Sequence, residues 1–508
     1  MRKILLIAVL TTASIASAQS VADALRLSTS DITGTARFRA MGGAFGALGG
    51  DLSAVGINPA SSAVFTKSAV SFSLASDTSN NETSYFNTGT EVRDTNLDVN
   101  QAGGVFVIDT GANSKWNKIT LGFNYDRTEN FDDQFIAAGS GDTSISSYFS
   151  EFAQGVPLDL LQTLEGESVS DLYQFLGENE GFGAQQALLG FQSFVIEPVD
   201  GSDLGNTSYV VNTGDGSFDQ EYFLSSSGFN GKSSFNIGGQ YNENLYFGIN
   251  LNSHFFDYDE RTVLFEESDS FPSGETAIRE VRFENNINTL GGGFSFQAGF
   301  IGKIQENIRL GLSYDSPTWY NISEQGTQRI STVVEDAIGE FTTTVDPQVV
   351  NVFEDYDIRT PEKYTGSLAY LFGKQGLLSF DYSYTDFANL TFRSQNNDPF
   401  FQLQNAAIDE LLAGASTYRL GGEYRRNYWS FRGGYRLQES PYQDETTLGD
   451  LTGFSLGLGY DFGRSKLDIA YDRSQQERNQ SLFTTGLTSA ASIDNTNTTV
   501  VATYTIKL

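Results

Sequence analysis

Apolar and polar residues alternate with a period of two in short segments from about residue 70 to residue 508. A clear case lies near the C-terminus, where Phe454, Leu456 and Leu458 interleave with Ser455 and Gly457. This alternation is typical of a β-strand with one face in an apolar environment and the other in a polar one. The chain is therefore predicted to be all-β over most of its length.

The connections between these segments also alternate, because each tight turn is followed by a long polar loop, with seven long loops in all. Tight turns are predicted at residues 242–244, 305–307, 373–376 and 463–464. Such parity is typical of a transmembrane antiparallel β-barrel with an even number of strands. We predict about 14 strands, with both chain ends on the side of the tight turns.

A soluble β-sandwich is the main alternative fold, since it shows the same alternation with its apolar face inward. It explains neither the loop parity nor the last segment, in which Val500, Ala502, Tyr504, Ile506 and Leu508 occupy one face. This segment resembles the terminal strand that barrel-assembly machinery recognises. We therefore favour the barrel and expect that machinery to be a partner during biogenesis.

The first residues predict export. Arg2 and Lys3 precede an apolar run at residues 4–10, and the small residues Ala16 to Ala18 follow. This order is typical of a secretory signal peptide, here residues 1–18, cut before Gln19. Nothing downstream approaches the roughly 18 consecutive apolar residues that a membrane-spanning helix requires. We expect localisation in the outer membrane, with membrane lipid as a partner.

Charge and composition narrow the function. The net charge of −32 disfavours nucleic acid as a partner, and many of the acids fall in predicted outer loops, where they keep the surface soluble. There are no cysteines, which excludes disulfides, thiol chemistry and a lipid-bearing cysteine. The 40 Phe and 24 Tyr residues suit aromatic belts at two membrane interfaces.

Residues 19–65 carry no convincing strand pattern and include a glycine-rich run at residues 42–50. A phosphate-binding loop is rejected because the spacing is wrong and no Lys-Ser or Lys-Thr follows. The glycines instead permit close backbone packing. We expect this segment to lie inside the barrel as a plug.

The same segment resembles the hatch of the FadL-type outer-membrane transporters of long-chain fatty acids and hydrocarbons. The order and approximate spacing match at Ala36-Arg37, Gly43-Ala44, Asp51 and Asn58-Pro59-Ala60. The resemblance implies a barrel of residues 66–508, plugged by a hatch of residues 19–65. It also implies passive uptake of lipophilic small molecules, which are fatty acids or hydrocarbons, and long-chain fatty acids are the first candidate among them. The resemblance implies no energy coupling, and we expect no cofactor. Lateral release of the ligand is a further implication, and Gly291 to Gly293 are a candidate site for the kink it needs.

A long external loop at about residues 128–232 shows helical periodicity and carries apolar residues on short helical faces. The resemblance implies that such a loop forms a groove that first captures the ligand. The residues that we predict to line it are Leu158, Leu161, Leu164, Leu172, Phe175, Leu176 and Phe182, with Phe400 and Phe401 opposite them. The alternative is that these side chains pack a core of the loop itself.

Four arginines, Arg419, Arg425, Arg432 and Arg436, fall on the lumen-facing phase of two neighbouring strands. They suit either a fatty-acid carboxylate or ion pairs with acids of the same phase, such as Glu423, and the acids favour ion pairs.

An enzyme is not expected, because His254 is the only histidine and has no partners in a catalytic pattern, and no metal-binding constellation is present. The alternative function is an outer-membrane adaptor, a structural barrel that acts as a partner in protein secretion. An energised receptor is disfavoured because the N-terminal segment is too short for its plug. An open porin is disfavoured because that segment, placed in the lumen, would obstruct it.

Overall fold

The computed structural model describes residues 20–111, 114–214, 216–268, 276–336, 338–394 and 399–508. The predicted signal peptide and its cleavage point before Gln19 lie outside these residues.

A single antiparallel sheet of fourteen strands closes on itself, which confirms the predicted barrel. Each strand pairs with its neighbours in the chain, and β1 closes the sheet against β14, with Ala69 opposite Lys507. The strands are β1 Ala69–Tyr85, β2 Thr88–Asp109, β3 Trp116–Asn130 continued by Asp133–Gly141, β4 Phe218–Tyr241, β5 Leu245–Ser268, β6 Ala277–Lys303, β7 Ile308–Asp315 continued by Trp319–Glu335, β8 Glu340–Val345 continued by Asn351–Val352, Tyr356–Arg359 and Lys363–Phe372, β9 Gly376–Asp386 continued by Thr391–Ser394, β10 Gly414–Arg426, β11 Trp429–Gln438, β12 Leu451–Asp461, β13 Ser465–Ser481 and β14 Ala490–Lys507.

The barrel has a turn end, which holds the end of β14, and a loop end, which holds the long connections. The prediction of seven long loops is wrong at one place, because β1 and β2 are joined at the loop end by a turn of only two residues, 86–87. Positive φ angles allow the tight reversals at the turn end, with φ 50° at Asn242 and φ 91° at Gly463. The four predicted turns all lie at this end, between consecutive strands.

The outer face of the barrel is apolar. In β12, Phe454, Leu456 and Leu458 are 40–57% exposed, whereas the neighbouring Ser455 faces the lumen and is buried. An apolar face that is turned outward contradicts a soluble sandwich and is what a lipid environment requires. Trp116 and Trp429 lie on this face next to the turn end, where indole rings prefer the membrane interface.

Helices occur in the lumen and at the loop end. Within the N-terminal residues these are α1 Val21–Arg26, α2 Ala36–Arg39 and the 3-10 turns Ser53–Gly56 and Pro59–Val64. Between β3 and β4 they are α3 Ser146–Ala153, the 3-10 turn Leu158–Leu160, α4 Val169–Asn179 and α5 Phe182–Gln192, followed by a small hairpin of Ile196–Pro198 with Tyr209–Val211. The 3-10 turn Phe387–Asn389 interrupts β9, and α6 Pro399–Leu411 precedes β10. None of the helices in these ranges is long and apolar enough to span a membrane.

The β3–β4 loop, residues 142–217, is shorter than the predicted 128–232 because both strands continue far beyond the residues that a membrane requires. Its helices are held by a core that also includes Phe283 of β6, Ile330 of β7 and Leu487 of the β13–β14 loop. This core covers part of the loop end of the barrel.

Candidate functional site: a filled lumen beneath a cavity

The N-terminal segment, defined here as residues 20–65, lies against the inner wall of the barrel. Asn58 anchors it, because its side-chain amide donates hydrogen bonds to the carbonyls of Gly46 (2.7 Å) and of Phe300 in β6 (3.0 Å). The Asn58 Oδ1 atom also accepts a hydrogen bond from the backbone N–H of Ala60 (3.1 Å) and so caps the 3-10 turn that begins at Pro59. The Asn-Pro-Ala tripeptide is thus a turn that is tied to the wall.

Amide side chains of the wall bind the backbone of the segment from three adjacent strands. Asn236 donates to the Pro59 carbonyl (3.0 Å), Asn250 to that of Val55 (2.9 Å) and Gln297 to that of Gly56 (2.9 Å). These bonds satisfy carbonyls that irregular backbone would otherwise leave unpaired away from water.

Lumen-facing glycines let the segment touch the wall backbone to backbone. A Cβ atom at Gly434 would lie 2.2 Å from the Gly42 nitrogen, and one at Gly311 would lie 2.2 Å from the Gly46 oxygen. Comparable backbone contacts occur at Gly248 and Gly421, and at Gly299 and Gly457 the nearest atoms belong to the side chains of Asn58 and Ala40. No larger residue fits these positions unless the segment moves.

Gly434→Leu is therefore expected to displace the N-terminal segment from the wall. The expected result is faster tryptic cleavage after Arg37 and Arg39 in limited proteolysis of the folded protein. Gly366→Leu is the matched control, because a Cβ atom at Gly366 meets no atom of the described residues within 4 Å. Equal protease resistance of both variants would contradict the close fit.

Three of the four predicted lumen arginines are ion-paired. Glu423 accepts hydrogen bonds from Arg37 (3.0 Å) and Arg432 (2.6 Å) and also pairs with Arg425, while Arg432 reaches Asp468 (2.7 Å). Ion pairing, the favoured interpretation, therefore accounts for Arg425 and Arg432. Two further pairs share one acid, since Arg436 and Arg39 lie 3.6 and 3.5 Å from Asp472.

Arg419 differs from the other three, because it forms no ion pair in the described part of the chain, and its Nε and Nη1 atoms are buried there without a hydrogen bond. Its neighbour across the strands, Asp381, accepts hydrogen bonds from the backbone N–H groups of Phe45 and Gly46, both at 2.9 Å. This acid thereby fixes the glycine-rich run to β9.

The other residues of the predicted hatch motif are also in the lumen. Asp51 accepts hydrogen bonds from the Thr35 hydroxyl (2.6 Å) and the Ser53 N–H (3.1 Å), so it organises the chain between α2 and the next turn. Gly43 has φ 73°, a conformation that favours glycine. With Arg37, Asn58, Pro59 and Ala60, these residues hold the segment in place.

Above this filled half of the lumen lies a cavity of about 780 Å³. Helix α1 forms one side, strands from around the barrel form the wall, and Tyr148, Phe182 and Phe483 approach from the loop end. Polar and charged side chains make up much of the lining, and its aromatic and aliphatic members are Phe131, Leu224, Phe256, Tyr258, Ile322, Tyr356, Ile358, Tyr442, Leu448 and Leu451. Small lipophilic ligands usually bind in concave sites that offer such apolar side chains.

Helix α1 is firmly placed beside the cavity. A capping box joins Ser20 and Asp23, in which the Asp23 carboxylate accepts from the Ser20 N–H at 2.8 Å. Its apolar face, with Val21 and Leu25, packs against the same cluster as Phe400 and Phe401 of α6. The N-terminal segment therefore runs from the loop end of the lumen to the turn end.

Two tyrosines from loops, Tyr442 and Tyr148, line the cavity. Burial, together with the nearby Asp23 and Asp444 carboxylates, raises the pKa of Tyr442 to about 12. Burial also raises the pKa of Tyr148 in α3. Both side chains therefore remain protonated at neutral pH.

Of the residues predicted to line a capture groove, Phe182 alone lines this cavity. Leu158, Leu161, Leu172 and Leu176 are fully buried in the core of the β3–β4 loop, as the packing alternative describes. Leu164 and Phe175 point to the outside and are 74% and 45% exposed. Phe400 and Phe401 are buried, with the Phe401 ring 5.4 Å from that of Tyr356. The groove itself stays a prediction.

Sequence reasoning missed the aromatic wall of the cavity. The available signal was an aromatic residue on the inward phase of a strand, where polar residues are the rule. In β5, Phe256 and Tyr258 have the same parity as the lumen-facing Asn250 and Asn252. The histidine in this strand, His254, bonds to the Ser295 hydroxyl across the sheet (2.8 Å) and is a wall residue.

One seam interrupts the wall. The ladder between β2 and β3 ends at Gln101 opposite Asp126, and Arg127 then bridges the strands by pairing with Asp98 of β2 (2.6 Å) and with Asp77 of β1. At Gly291 to Gly293, the candidate kink, the ladders to β5 and β7 are continuous. The candidate kink therefore opens no gap in the wall.

Two solved structures with the same fold are a FadL homologue from Pseudomonas aeruginosa and the toluene transporter TodX from Pseudomonas putida. The first is 12% identical with a TM-score of 0.52, the second is 14% identical with a TM-score of 0.53, and each match covers 94% of this chain and 99% of the other. At this identity the likeness shows the fold. None of the curated proteins compared with the sequence matches it.

The closed wall, the filled lumen and the cavity thus define a fourteen-stranded barrel with the FadL-type fold. A family model described as BamG matches residues 205–483, more than half of the chain, and the chain belongs to the BamG family. The predicted resemblance is confirmed for the fold, whereas the family that matches bears a different name.

Proposed function

We propose that this protein is an outer-membrane channel that takes up hydrophobic compounds passively. The observation that carries the proposal is the cavity of about 780 Å³, which lies between the N-terminal segment and the β3–β4 loop and has an aromatic and aliphatic wall. Because the rest of the lumen is occupied by well-bonded backbone, the barrel does not suit free passage of water-soluble solutes.

In this proposal, residues 19–65 act as the hatch, residues 66–508 form the barrel, and the β3–β4 loop captures the ligand before it enters the cavity. The exposed Leu164 and Phe175 suit a first contact, and Phe182 suits the transfer to the cavity. Asn130 and Asp132 line the cavity and also lie beside the seam at Arg127, so the seam borders the cavity. This position supports lateral release of the ligand through the seam. We propose no catalytic role.

Long-chain fatty acids are the candidate substrate that the hatch resemblance singles out, and hydrocarbons are the second. Both have chains that suit an apolar wall, and each buried methylene contributes about 0.8 kcal/mol to binding. The two substrate classes differ in the carboxylate, which fatty acids have and hydrocarbons lack.

A bulky side chain placed in the cavity is expected to weaken binding. Thr289 lines the cavity and the next residue, Leu290, is 45% exposed on the outer face, so Thr289→Trp and Leu290→Trp place the same ring on opposite sides of β6. We expect Thr289→Trp to lower the affinity for radiolabelled hexadecane and palmitate at least tenfold, about 1.4 kcal/mol. Leu290→Trp should bind as the wild type does, in equilibrium binding with neutral detergent.

Unchanged binding by Thr289→Trp would show that the cavity is not the binding site. Native mass spectrometry of the protein extracted from its own membrane separates the two functions proposed from the sequence. A retained lipophile supports the channel, whereas a stoichiometric protein partner with no bound lipophile supports the adaptor.

A further inference from the structure

Acidic residues outnumber basic residues around the cavity. Seven acidic residues and two arginines line it. Because the site is concave and bordered by protein of low dielectric constant, charges there interact more strongly than on a flat surface. The electrostatic energy of an amphiphilic ligand in the cavity therefore depends strongly on the charge of its head group.

Both arginines are already engaged. Arg26 pairs with Asp23 (2.9 Å), and its guanidinium stacks 3.9 Å from the ring centroid of Tyr258. Arg478 pairs with Asp133 (2.5 Å) and lies 5.7 Å from the ring of Phe135. Neither is free to receive a carboxylate from a ligand. Arg26 shows, in addition, that this aromatic wall accommodates a cation.

Four other acids of the lining form no ion pair within the described ranges. Two of them are brought together where the N-terminal segment meets β3, since the Glu129 carboxylate accepts a hydrogen bond from the backbone N–H of Asp31 (3.2 Å). Asp132 accepts from the Asn96 amide (2.8 Å), and Glu260 accepts from the Tyr258 hydroxyl. These are hydrogen bonds from neutral donors, so none of these four acids is paired with a cation in the described part of the chain.

The apolar wall adjoins this acidic side. Phe131 is two residues beyond Glu129 in the chain, and its ring packs edge-on against Tyr258 at 5.4 Å. A ligand with its chain along Phe131 and Tyr258 places its head group near Glu129 and Asp31. A cationic head stabilises the ionised form of these carboxylates, whereas a carboxylate head adds a further negative charge.

We infer that the cavity selects amphiphiles by the charge of the head group and binds cationic heads, such as a quaternary ammonium, more tightly than neutral heads and much more tightly than carboxylates. This inference rests on the proposed function, because it concerns the ligand of the same cavity. It makes fatty-acid anions the disfavoured members of the class.

Three ligands with the same dodecyl chain test the inference: dodecyltrimethylammonium, dodecanol and dodecanoate. Each is titrated into the purified protein in a neutral maltoside at low salt, below its micelle concentration. The expected order of affinity is ammonium, alcohol, carboxylate, with at least a tenfold range between the ends. Added salt should reduce the differences in affinity between the three ligands, because it screens the electrostatic interaction with the head group.

Dodecanoate binding as tightly as the ammonium would overturn the inference while leaving the proposed function intact. Binding of none of the three would instead remove the proposed function, so the two failures are distinguishable.

Neutral isosteres locate the effect. The double variant Asp31→Asn with Glu129→Gln should lose most of the preference for the ammonium and keep the affinity for dodecanol. Glu91→Gln, which alters an exposed carboxylate of β2 outside the cavity, is the control and should keep the full preference. A preference that survives the double variant would overturn the assignment to these two acids.

Discussion

Removal of residues 20–65 is expected to turn the barrel into an open, water-filled pore. The N-terminal segment fills the lumen at the turn end through wall contacts such as those of Asn236 and Gln297 with its carbonyls. Without it, the inner wall presents polar and charged side chains to water, as the lumen of a porin does. Single-channel recording in planar bilayers should show a conductance several-fold above that of the intact protein.

Assembly of the deletion variant is checked by its heat-modifiable migration on gels, which a closed barrel shows. A folded variant with unchanged conductance would mean that the β3–β4 loop closes the barrel by itself. Removal of residues 146–211 with the N-terminal segment kept is the complementary variant, and we expect its conductance to stay low.

Glu423→Ala is expected to be the most destabilising single substitution of the lumen. The Glu423 carboxylate is fully buried and faces the guanidinium groups of Arg37, Arg425 and Arg432. Its removal leaves Arg37 without an ion-pair partner, and breaking a buried pair costs about 3–5 kcal/mol. Urea unfolding in lipid vesicles should show a correspondingly lower free energy of unfolding.

The double variant Arg37→Leu with Glu423→Leu should be less damaged than Glu423→Ala, because it removes the charge that would be left unpaired. Arg432 retains Asp468 at 2.7 Å in both variants. Glu91→Ala removes an exposed carboxylate from the barrel and should change the free energy of unfolding by no more than about 0.5 kcal/mol. A double variant that loses the sum of both single effects would contradict the coupling.

Much of the barrel could be predicted because its constraints are local and repeat in every strand. An outward apolar face and an inward polar face impose the period of two, and closure with both chain ends on one side imposes an even number of strands. The hatch motif could also be predicted from the sequence, because Asn58 and Pro59 are residues that favour the start of a helical turn. The loop limits were less accurate, since the pattern at residues 128–141 loses its apolar face where the strands rise beyond the membrane.

The site was harder to predict because it depends on contacts between residues that are far apart in the chain. The leucines of the β3–β4 loop have helical spacing whether they bind a ligand or pack a core, and only Phe283, Ile330 and Leu487 from distant strands and loops decide that they pack a core. In the sequence, the wall glycines cannot be told from other strand glycines. Only the structure shows that Gly42 and Gly46 pack against them.

The sequence by itself determined the closed barrel, the position of its turns and a non-strand segment that suits the lumen, because these follow from periodicity and local turn chemistry. The tertiary structure alone decided where the cavity lies and which side chains reach it. It also decided that Arg425, Arg432 and Arg436 pair with acids, whereas four acids of the cavity form no ion pair within the described residues. Charge balance in a barrel depends on which strands face each other across the lumen, and a linear pattern does not contain that distance.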